Sequence, residues 1–541
     1  MKIFAVSQYY LSKFKEKLTH AYINIDLYYA VISFLHFFLT FFTDSFVFTI
    51  HYRQISVLKY AAVKLMLMAV LFVIWQLIGH AVRIYRKSLF VREYAKFTFI
   101  YFDIMLLFLL AVIPGNIKEH ADFYYLANTA ALKDTIMFEP FVMEYFRIFS
   151  MMLFPCLSGI VLGQLVVISS IVGYIMTRFS MCFKSSKLVY FLYIPFLLFL
   201  VIQNNLFMDT CIMYSYLILL LVLLLFFMKA RNEKITKKNM TVIALITALL
   251  GNLRAEGILF LVFVPVIFVI INYHKIKEKQ ILFFLLVLFF SAVVLMPKYI
   301  NVSFISAQEG KYEGVYKKLY IIDYSFKVLL KEAVRRNDRE ILSEFDSYED
   351  VNYMLADSTK IGMPFYVNLP EKKRKKFDII AAKLSDKYKK TYLIYKIKDS
   401  LLESYNHAIY KIGIEKINFS DNKGAKKAYN RIDERLMLYC NDMRNYFVDF
   451  FKKHSTSKGS LIFPLGIIFS ILLISALFTR KTLFLLSALI LIHSFSVSLL
   501  APYGAFRYNF SLYMYGYLIF AVFIISTIYN LKAAKKLKFF I

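Results

Sequence analysis

The sequence predicts an all-α, polytopic membrane protein with about twelve transmembrane helices and a helical extracytoplasmic domain between spans nine and ten. Three observations lead there. Apolar residues make up 60% of the chain and aromatic residues 18%, with a mean hydropathy of +0.58. A soluble domain has too little interior to hide that much apolar surface, whereas a bilayer solvates it. Apolar runs approaching the roughly 20 residues that cross a hydrocarbon core recur along the sequence. Finally, lysine and arginine crowd into every second connection.

The runs lie near 27–50, 61–82, 97–113, 151–177, 188–203, 211–228, 241–253, 257–273, 281–297, 460–478, 482–500 and 510–531. Lys13, Lys15 and Lys17 precede the first, and Arg83, Arg86, Lys87, Arg92 and Lys96 follow the second. Arg178, Lys184 and Lys187 follow the fourth; Lys229, Arg231, Lys234, Lys237 and Lys238 follow the sixth. Lys275, Lys277 and Lys279, then Arg480 and Lys481, continue the alternation, and Lys532, Lys535, Lys536 and Lys538 close it. By the positive-inside rule both termini are cytoplasmic, and the chain is a multi-pass protein of the plasma membrane. The N-terminal run lacks a small-residue cleavage site and is expected to remain in the membrane.

This topology accounts for much of the net charge of +30. The cations contact anionic headgroups of the membrane lipids, and no nucleic-acid partner is expected.

The pattern divides the chain into a membrane region at 1–297, an extracytoplasmic domain at 298–459 and a second membrane region at 460–541. The middle stretch has helical spacing in KVLLKEAVRRNDREILSEF and KKFDIIAAKLSDKYKKTYLIYKIKDSLLESY, interrupted at Gly362, Pro364 and Pro370. Of four cysteines only Cys440 falls within it, so it holds no internal disulfide. CxxC, HExxH, phosphate-binding and dinucleotide-binding glycine patterns are all missing, which argues against ATP-driven transport by this chain alone.

Chemistry concentrates in the loops assigned to the outer face. The segment 114–150 is too polar for lipid and too apolar for a solvated linker, so it reads as amphipathic helices lying in the interface. Asp122 within it is either a helix N-cap or a carboxylate at the bilayer edge, fit for general-base or metal-ligand work. Asp209, in the short NNLFMDTCIMYSY loop, carries the same two readings. In GNLRAEGILF, Arg254 either snorkels to headgroups while Glu256 caps the next helix, or binds a phosphate while Glu256 orients it. Arg507 occupies the last outer turn, shaped by Pro502 and Gly504. Asp44, Lys64, Asp103 and His493 read as snorkelling or paired groups, and Glu119 and His120 flank Asp122.

Together these segments resemble the GT-C superfamily of integral membrane glycosyltransferases. The resemblance rests on Asp122 in HADFYYLANTAAL, Asp209 in NNLFMDTCIMYSY, the Arg-x-Glu-Gly turn at Arg254–Gly257, and Pro502 with Arg507 and Tyr508. It covers roughly 97–300 and 460–531. Asp122 stands singly where members often carry an acidic doublet, and two spans precede its loop where many have one. The resemblance implies transfer of a sugar from a polyprenyl-phosphate donor to a cell-envelope glycan, lipid or protein acceptor at the outer face. Asp122 and Asp209 would be the catalytic carboxylates, acting directly or through a divalent cation (Mg or Mn) that they help to bind. Arg254, Glu256, Arg507 and Tyr508 would bind substrate, in one cavity roofed by 114–150 and the external domain. Two alternatives stay open: a polysaccharide polymerase or ligase relying on arginine and histidine, and a lipid or glycan transporter, which should show repeated spans and broken helices.

Overall fold

The computed structural model describes residues 27–44, 57–85, 87–112, 141–154, 159–184, 186–197, 211–294, 324–345, 371–391, 394, 462–478, 481–500 and 509–534. Every regular element among them is helical. In chain order these are α1 Leu27–Leu39, α2 Val57–Tyr85, α3 Leu89–Val112, α4 Phe141–Leu153, α5 Gly159–Cys182, α6 Tyr193–Leu197, α7 Cys211–Ala230 and α8 Lys237–Leu253. They continue as α9 Ile258–Asn272, α10 Glu278–Val294, α11 Tyr324–Arg335, α12 Arg339–Leu342, α13 Glu371–Lys387, α14 Ile462–Leu477, α15 Lys481–Leu500 and α16 Phe510–Ala534. Single 3-10 turns at Thr40–Thr43, Lys187–Leu192 and Ala255–Gly257 join or extend them.

Among the described residues, four segments are long and apolar enough to cross a membrane: Tyr60–Tyr85, Val161–Cys182, Ile212–Ala230 and Phe510–Asn530. Shorter apolar helices accompany them at Leu27–Leu39, Lys187–Leu197, Ile258–Asn272, Pro464–Leu477 and Lys481–Val497. Val57, Leu58, Phe289, Phe478 and Phe523 are among many large apolar side chains left exposed. A soluble surface does not carry so much contiguous apolar area, and the chain is membrane-associated.

Burial identifies the centre of the bundle. The Ile212–Ala230 segment of α7 is 78% buried, against 22% for Tyr60–Tyr85 in α2. Around α7 pack α5, α8, α15 and α16, with Leu165, Ile168, Ile218, Leu219, Leu489 and Tyr513 closed off from the surface. Close helix contact needs small residues. A Cβ added at Gly163 of α5 would stand 2.2 Å from Ser150 Oγ of α4, and one at Gly173 would stand 2.0 Å from Thr98 Oγ1 of α3.

The helix ends sort by charge. At one end Arg178 pairs with Glu233, Lys229 Nζ donates to the Ile271 carbonyl at 3.0 Å, and Lys275 donates to Asn232. Gln280 Nε2 donates to the Ile235 carbonyl there at 3.1 Å. Basic connections far apart in sequence therefore meet on one face, the face that the alternation of charge assigns to the cytoplasm. At the other end Asn252 Nδ2 of α8 reaches the Ala292 carbonyl of α10 at 3.4 Å, and the rings of Tyr216 and Phe510 lie 6.1 Å apart.

Some boundaries differ from those expected. The run expected at 151–177 is divided, because α4 continues to Leu153 and α5 begins only at Gly159. Pro155 lies between them and disfavours an unbroken helix. The run expected at 188–203 opens on a 3-10 turn before α6, which contains Pro195.

The first two helices form a peripheral hairpin with charge buried inside it. Lys64 Nζ lies 2.6 Å from Asp44 Oδ1, and donates to Thr40 Oγ1 at 3.0 Å. Tyr60 OH donates to Asp44 Oδ2 at 2.5 Å, and the ammonium stands 4.0 Å from the centre of the Phe41 ring. The expectation that Asp44 and Lys64 are snorkelling or paired resolves as pairing. His36 Nε2 reaches the Leu153 carbonyl at 2.6 Å, linking the hairpin to α4.

Within 298–459, the helical spacing read from KVLLKEAVRRNDREILSEF and KKFDIIAAKL is realised as α11, α12 and α13. Leu329, Leu330, Ala333, Ile341, Ile380, Ala381 and Leu384 are buried in this unit. Asn337 adopts φ 52, a left-handed stop between α11 and α12. Asp338 then caps α12 by accepting from Ile341 N at 3.5 Å, accepts from Tyr388 OH at 2.5 Å and pairs with Lys387 at 3.0 Å.

Candidate functional site

The turn between α8 and α9 brings the predicted Arg254 and Glu256 together. Helix α8 stops at Leu253, and Arg254 is extended (φ −151, ψ 152), redirecting the chain into the 3-10 turn. Gly257 N donates to the Arg254 carbonyl at 3.0 Å and closes the turn. The sharpness of the bend fixes the residue at its end. A Cβ on Gly257 would sit 1.9 Å from the Leu250 carbonyl oxygen, well inside contact distance.

Within the bend Arg254 Nε donates to Glu256 Oε1 in an ion pair. Both side chains are largely buried, retaining 20% and 13% of their exposure. The N-cap of α9 is Gly257, and Glu256 just before it holds the guanidinium at Nε. Of the two readings open in the sequence, the carboxylate-oriented arginine is the one that matches the geometry. A guanidinium has five N–H donors in a planar fork, and Glu256 engages the one at Nε.

Beneath this pair is a residue that the sequence reading ranked low. His493 of α15 is 1% exposed and packs against two rings from other helices. Its centroid lies 5.2 Å from Phe260 of α9 and 5.8 Å from Tyr214 of α7. Tyr214 OH and His493 Nε2 are 3.4 Å apart. The 3-10 turn that carries Glu256 packs against α15, and Nδ1 of His493 has no hydrogen-bond partner among the described residues. Three helices and one turn thus supply Arg254, Glu256, Tyr214, Phe260 and His493 to one cluster at the end of the bundle opposite the basic connections.

Other polar groups line the same core. Tyr101 and Tyr216 share a 3.0 Å hydrogen bond, Tyr193 OH donates to the Phe97 carbonyl at 2.8 Å, and Ser487 and Tyr515 are 3.2 Å apart. Arg147 on α4 is buried as well. It passed unnoticed in the sequence, although Arg147, Ser150 and Met151 follow helical spacing and are all buried.

Of the remaining predicted site residues, Asp122, Asp209, Arg507 and Tyr508 lie outside the described residues, as do Glu119 and His120. The roof expected from 114–150 is described only from α4 onwards. Asp103 occupies an exposed position on α3. Among the described residues no group of three or more His, Cys, Asp or Glu side chains gathers closely enough to hold a metal ion. The pair expected to bind Mg or Mn, Asp122 and Asp209, falls outside them.

No family model, curated protein or solved structure matches this chain.

Proposed function

We propose that the chain is a membrane glycosyltransferase of GT-C type. It moves a sugar from a polyprenyl-phosphate donor to a glycan, lipid or protein acceptor of the cell envelope, on the outer face of the plasma membrane. The reading includes about twelve spans with both termini cytoplasmic. The observation that supports it most directly is the Arg254–Glu256 pair, a guanidinium held in one orientation at the bundle end opposite the basic connections. Such a group is suited to a phosphate that carries its charge into the membrane edge on a lipid.

In this reading Asp122 takes the proton from an acceptor hydroxyl, with Asp209 as the second carboxylate of the site. The hydroxyl oxygen attacks the anomeric carbon, a new glycosidic bond forms, and the bond from that carbon to the phosphate oxygen breaks. Polyprenyl phosphate leaves with the electron pair. Arg254 and Arg507 stabilise the negative charge on the leaving phosphate, which is greatest as the bond breaks. Tyr508 lies next to Arg507 and is assigned to substrate binding with it. No nucleotide is required, which agrees with the missing phosphate-binding glycine loops.

One observation favours a second reading, a polysaccharide polymerase or ligase acting on lipid-linked glycans. The described cluster joins an arginine to a buried histidine, the residue types on which that reading relies. A single experiment separates the two. The envelope glycan or glycolipid lost on deleting the gene is identified, and variants are tested for restoring it. Asp122→Asn lowers transfer by about 10²–10⁴-fold if Asp122 is the general base, and Arg254→Lys restores it poorly because the bidentate fork is lost. Full activity in Asp122→Asn removes the catalytic assignment. If Arg254 and His493 variants are then inactive, the polymerase or ligase reading replaces the transferase.

A further inference from the structure

We propose that the α7–α8 and α9–α10 connections, with the exposed apolar rows of α9 and α10 that run from them, form a defined binding site for one anionic glycerophospholipid. The site lies at the bundle end opposite Arg254 and does not depend on any role for that residue. It is more specific than the diffuse headgroup contact that basic loops make in general.

The two connections are joined. Lys275 Nζ donates to the Asn232 side chain, 43 residues away, and Gln280 Nε2 donates to the Ile235 carbonyl at 3.1 Å. Lys237 stands 5.7 Å from the centre of the Phe283 ring, a further tie between α8 and α10. Residues 229–238 carry five cations and residues 275–279 three, against one acid each, Glu233 and Glu278. Glu233 is already engaged by Arg178. The contacts that hold Lys275 and Lys229 use neutral acceptors, an amide and the Ile271 carbonyl, so they fix the ammonium groups without neutralising them. Lys234, Lys277 and Lys279 are exposed beside them. The result is a concentrated positive patch assembled from two loops, suited to a phosphate headgroup.

Apolar rows begin where the patch ends. Val262, Val266 and Ile270 of α9 recur at every fourth residue and share one face, and each is at least half exposed. At 1.5 Å per residue the row covers about 12 Å, against roughly 15 Å of hydrocarbon in one leaflet. It leads to Tyr273, which is 72% exposed next to the cations, where a ring with a polar tip suits the membrane–water boundary. Leu282 and Phe289 of α10 are exposed as well, and the stacked rings of Phe268 and Phe284, 4.8 Å apart, tie α10 to α9. A soluble anion would use the cations and leave the rows uncovered. A second copy docked symmetrically would set these cations against themselves. An anionic lipid matches both parts, with its phosphate on the loops and its acyl chains along the helices.

The test uses the full-length protein, stripped of lipid in detergent, and counts bound phosphatidylglycerol and phosphatidylcholine by native mass spectrometry. The native chain should bind phosphatidylglycerol saturably and in preference to phosphatidylcholine. Lys234→Gln combined with Lys277→Gln, one change on each connection, should weaken phosphatidylglycerol binding roughly twenty-five-fold, about fivefold per cation, and leave phosphatidylcholine binding unchanged. The matched change at another basic connection, Lys87→Gln with Arg92→Gln, removes two equally exposed cations and should leave phosphatidylglycerol affinity as it was. Ile270→Ser should weaken the lipid's binding, and glycerol 3-phosphate should not displace it. Equal losses in the two double variants mean diffuse attraction and overturn the site. Equal affinity for phosphatidylcholine, or displacement by glycerol 3-phosphate, overturns an anionic lipid as the occupant. If Ile270→Ser splits a dimer and leaves lipid binding unchanged, the face belongs to a second copy and the proposal fails. Unfolding curves check that each variant is folded, and should the first pair not be, Lys238→Gln with Lys279→Gln carries the same expectation on two other exposed cations.

Discussion

The buried ion pair in the first hairpin gives the most quantitative forecast. Lys64 and Asp44 stand 2.6 Å apart with 5% and 16% of their side-chain exposure, and among the described residues their hydrogen bonds go to Tyr60 and Thr40 of the same hairpin and its 3-10 turn. Removing one partner strands the other charge in apolar surroundings, at a cost of about 3–5 kcal/mol. Lys64→Met leaves Asp44 with the Tyr60 hydroxyl. Asp44→Leu leaves the ammonium with Thr40 and the Phe41 ring, 4.0 Å away. Each residual contact recovers part of the loss, so about 3 kcal/mol is expected for each single variant. The double variant removes both desolvation penalties together with the attraction and should cost under about 1 kcal/mol. The only tryptophan in the chain supplies the readout. Trp75 belongs to this hairpin and its Nε1 donates to His36 Nδ1 at 3.1 Å, so tryptophan fluorescence during unfolding in detergent reports the region directly. Additive losses in the double variant would mean that the two charges do not stabilise one another, and the reasoning would be refuted.

Three further outcomes are expected. Gly257→Ala should destabilise by about 1–3 kcal/mol through overpacking against the Leu250 carbonyl and should lower polyprenyl phosphate binding, whereas native-like binding would show that the tight bend does not set the Arg254 geometry. A reporter fused after Lys238 should read cytoplasmic and one at Gly424 external; the opposite result overturns the topology and with it an outer-face site. In α11–α13, hydrogen bonds from Arg335 and Arg336 hold the Glu332 carboxyl at about 2, and the Tyr388 hydroxyl holds Asp338 below the usual carboxylate range. Both folded values are depressed, so their stabilisation is present above the ordinary carboxylate range and lost as pH falls through the folded values. Proteolytic cleavage within 324–391 should therefore rise as pH drops from about 4.5 toward 2, and Tyr388→Phe should move that onset upward; an unchanged onset removes Asp338 from the explanation.

What the sequence made legible was local or periodic. Apolar length read out the all-helical character and the candidate spans, because a bilayer imposes length on each apolar helix. The α8–α9 break was legible in GNLRAEGILF because two glycines and a charged pair are crowded into a few residues. Of the two options open for this turn, the pairing of Arg254 with Glu256 is present in the structure. Interruptions within apolar runs were harder to read. Pro155 and Pro195 sit in continuous hydropathy, so the ends of α4 and the 3-10 turn before α6 left no dip in the pattern.

His493 was illegible for a different physical reason. A single histidine in an apolar helix looks the same whether it faces lipid, core or ligand, since its neighbours in sequence lie on other faces of the helix. Its importance comes from Tyr214 and Phe260, contributed by helices from the other membrane region. The same limit applies to Arg147, whose burial depends on close packing of α4 against α5 at Gly163. Charges near the bundle end are costly to desolvate, and the chain meets that cost differently at each position. Lys64 and Asp44 pair with one another within a hairpin. Arg254 is held by Glu256 through Nε, an arrangement that orients a multi-donor group. His493 keeps Nδ1 without a hydrogen-bond partner among the described residues. The Lys64–Asp44 pair is a brace within its hairpin, where removing either partner strands the other charge.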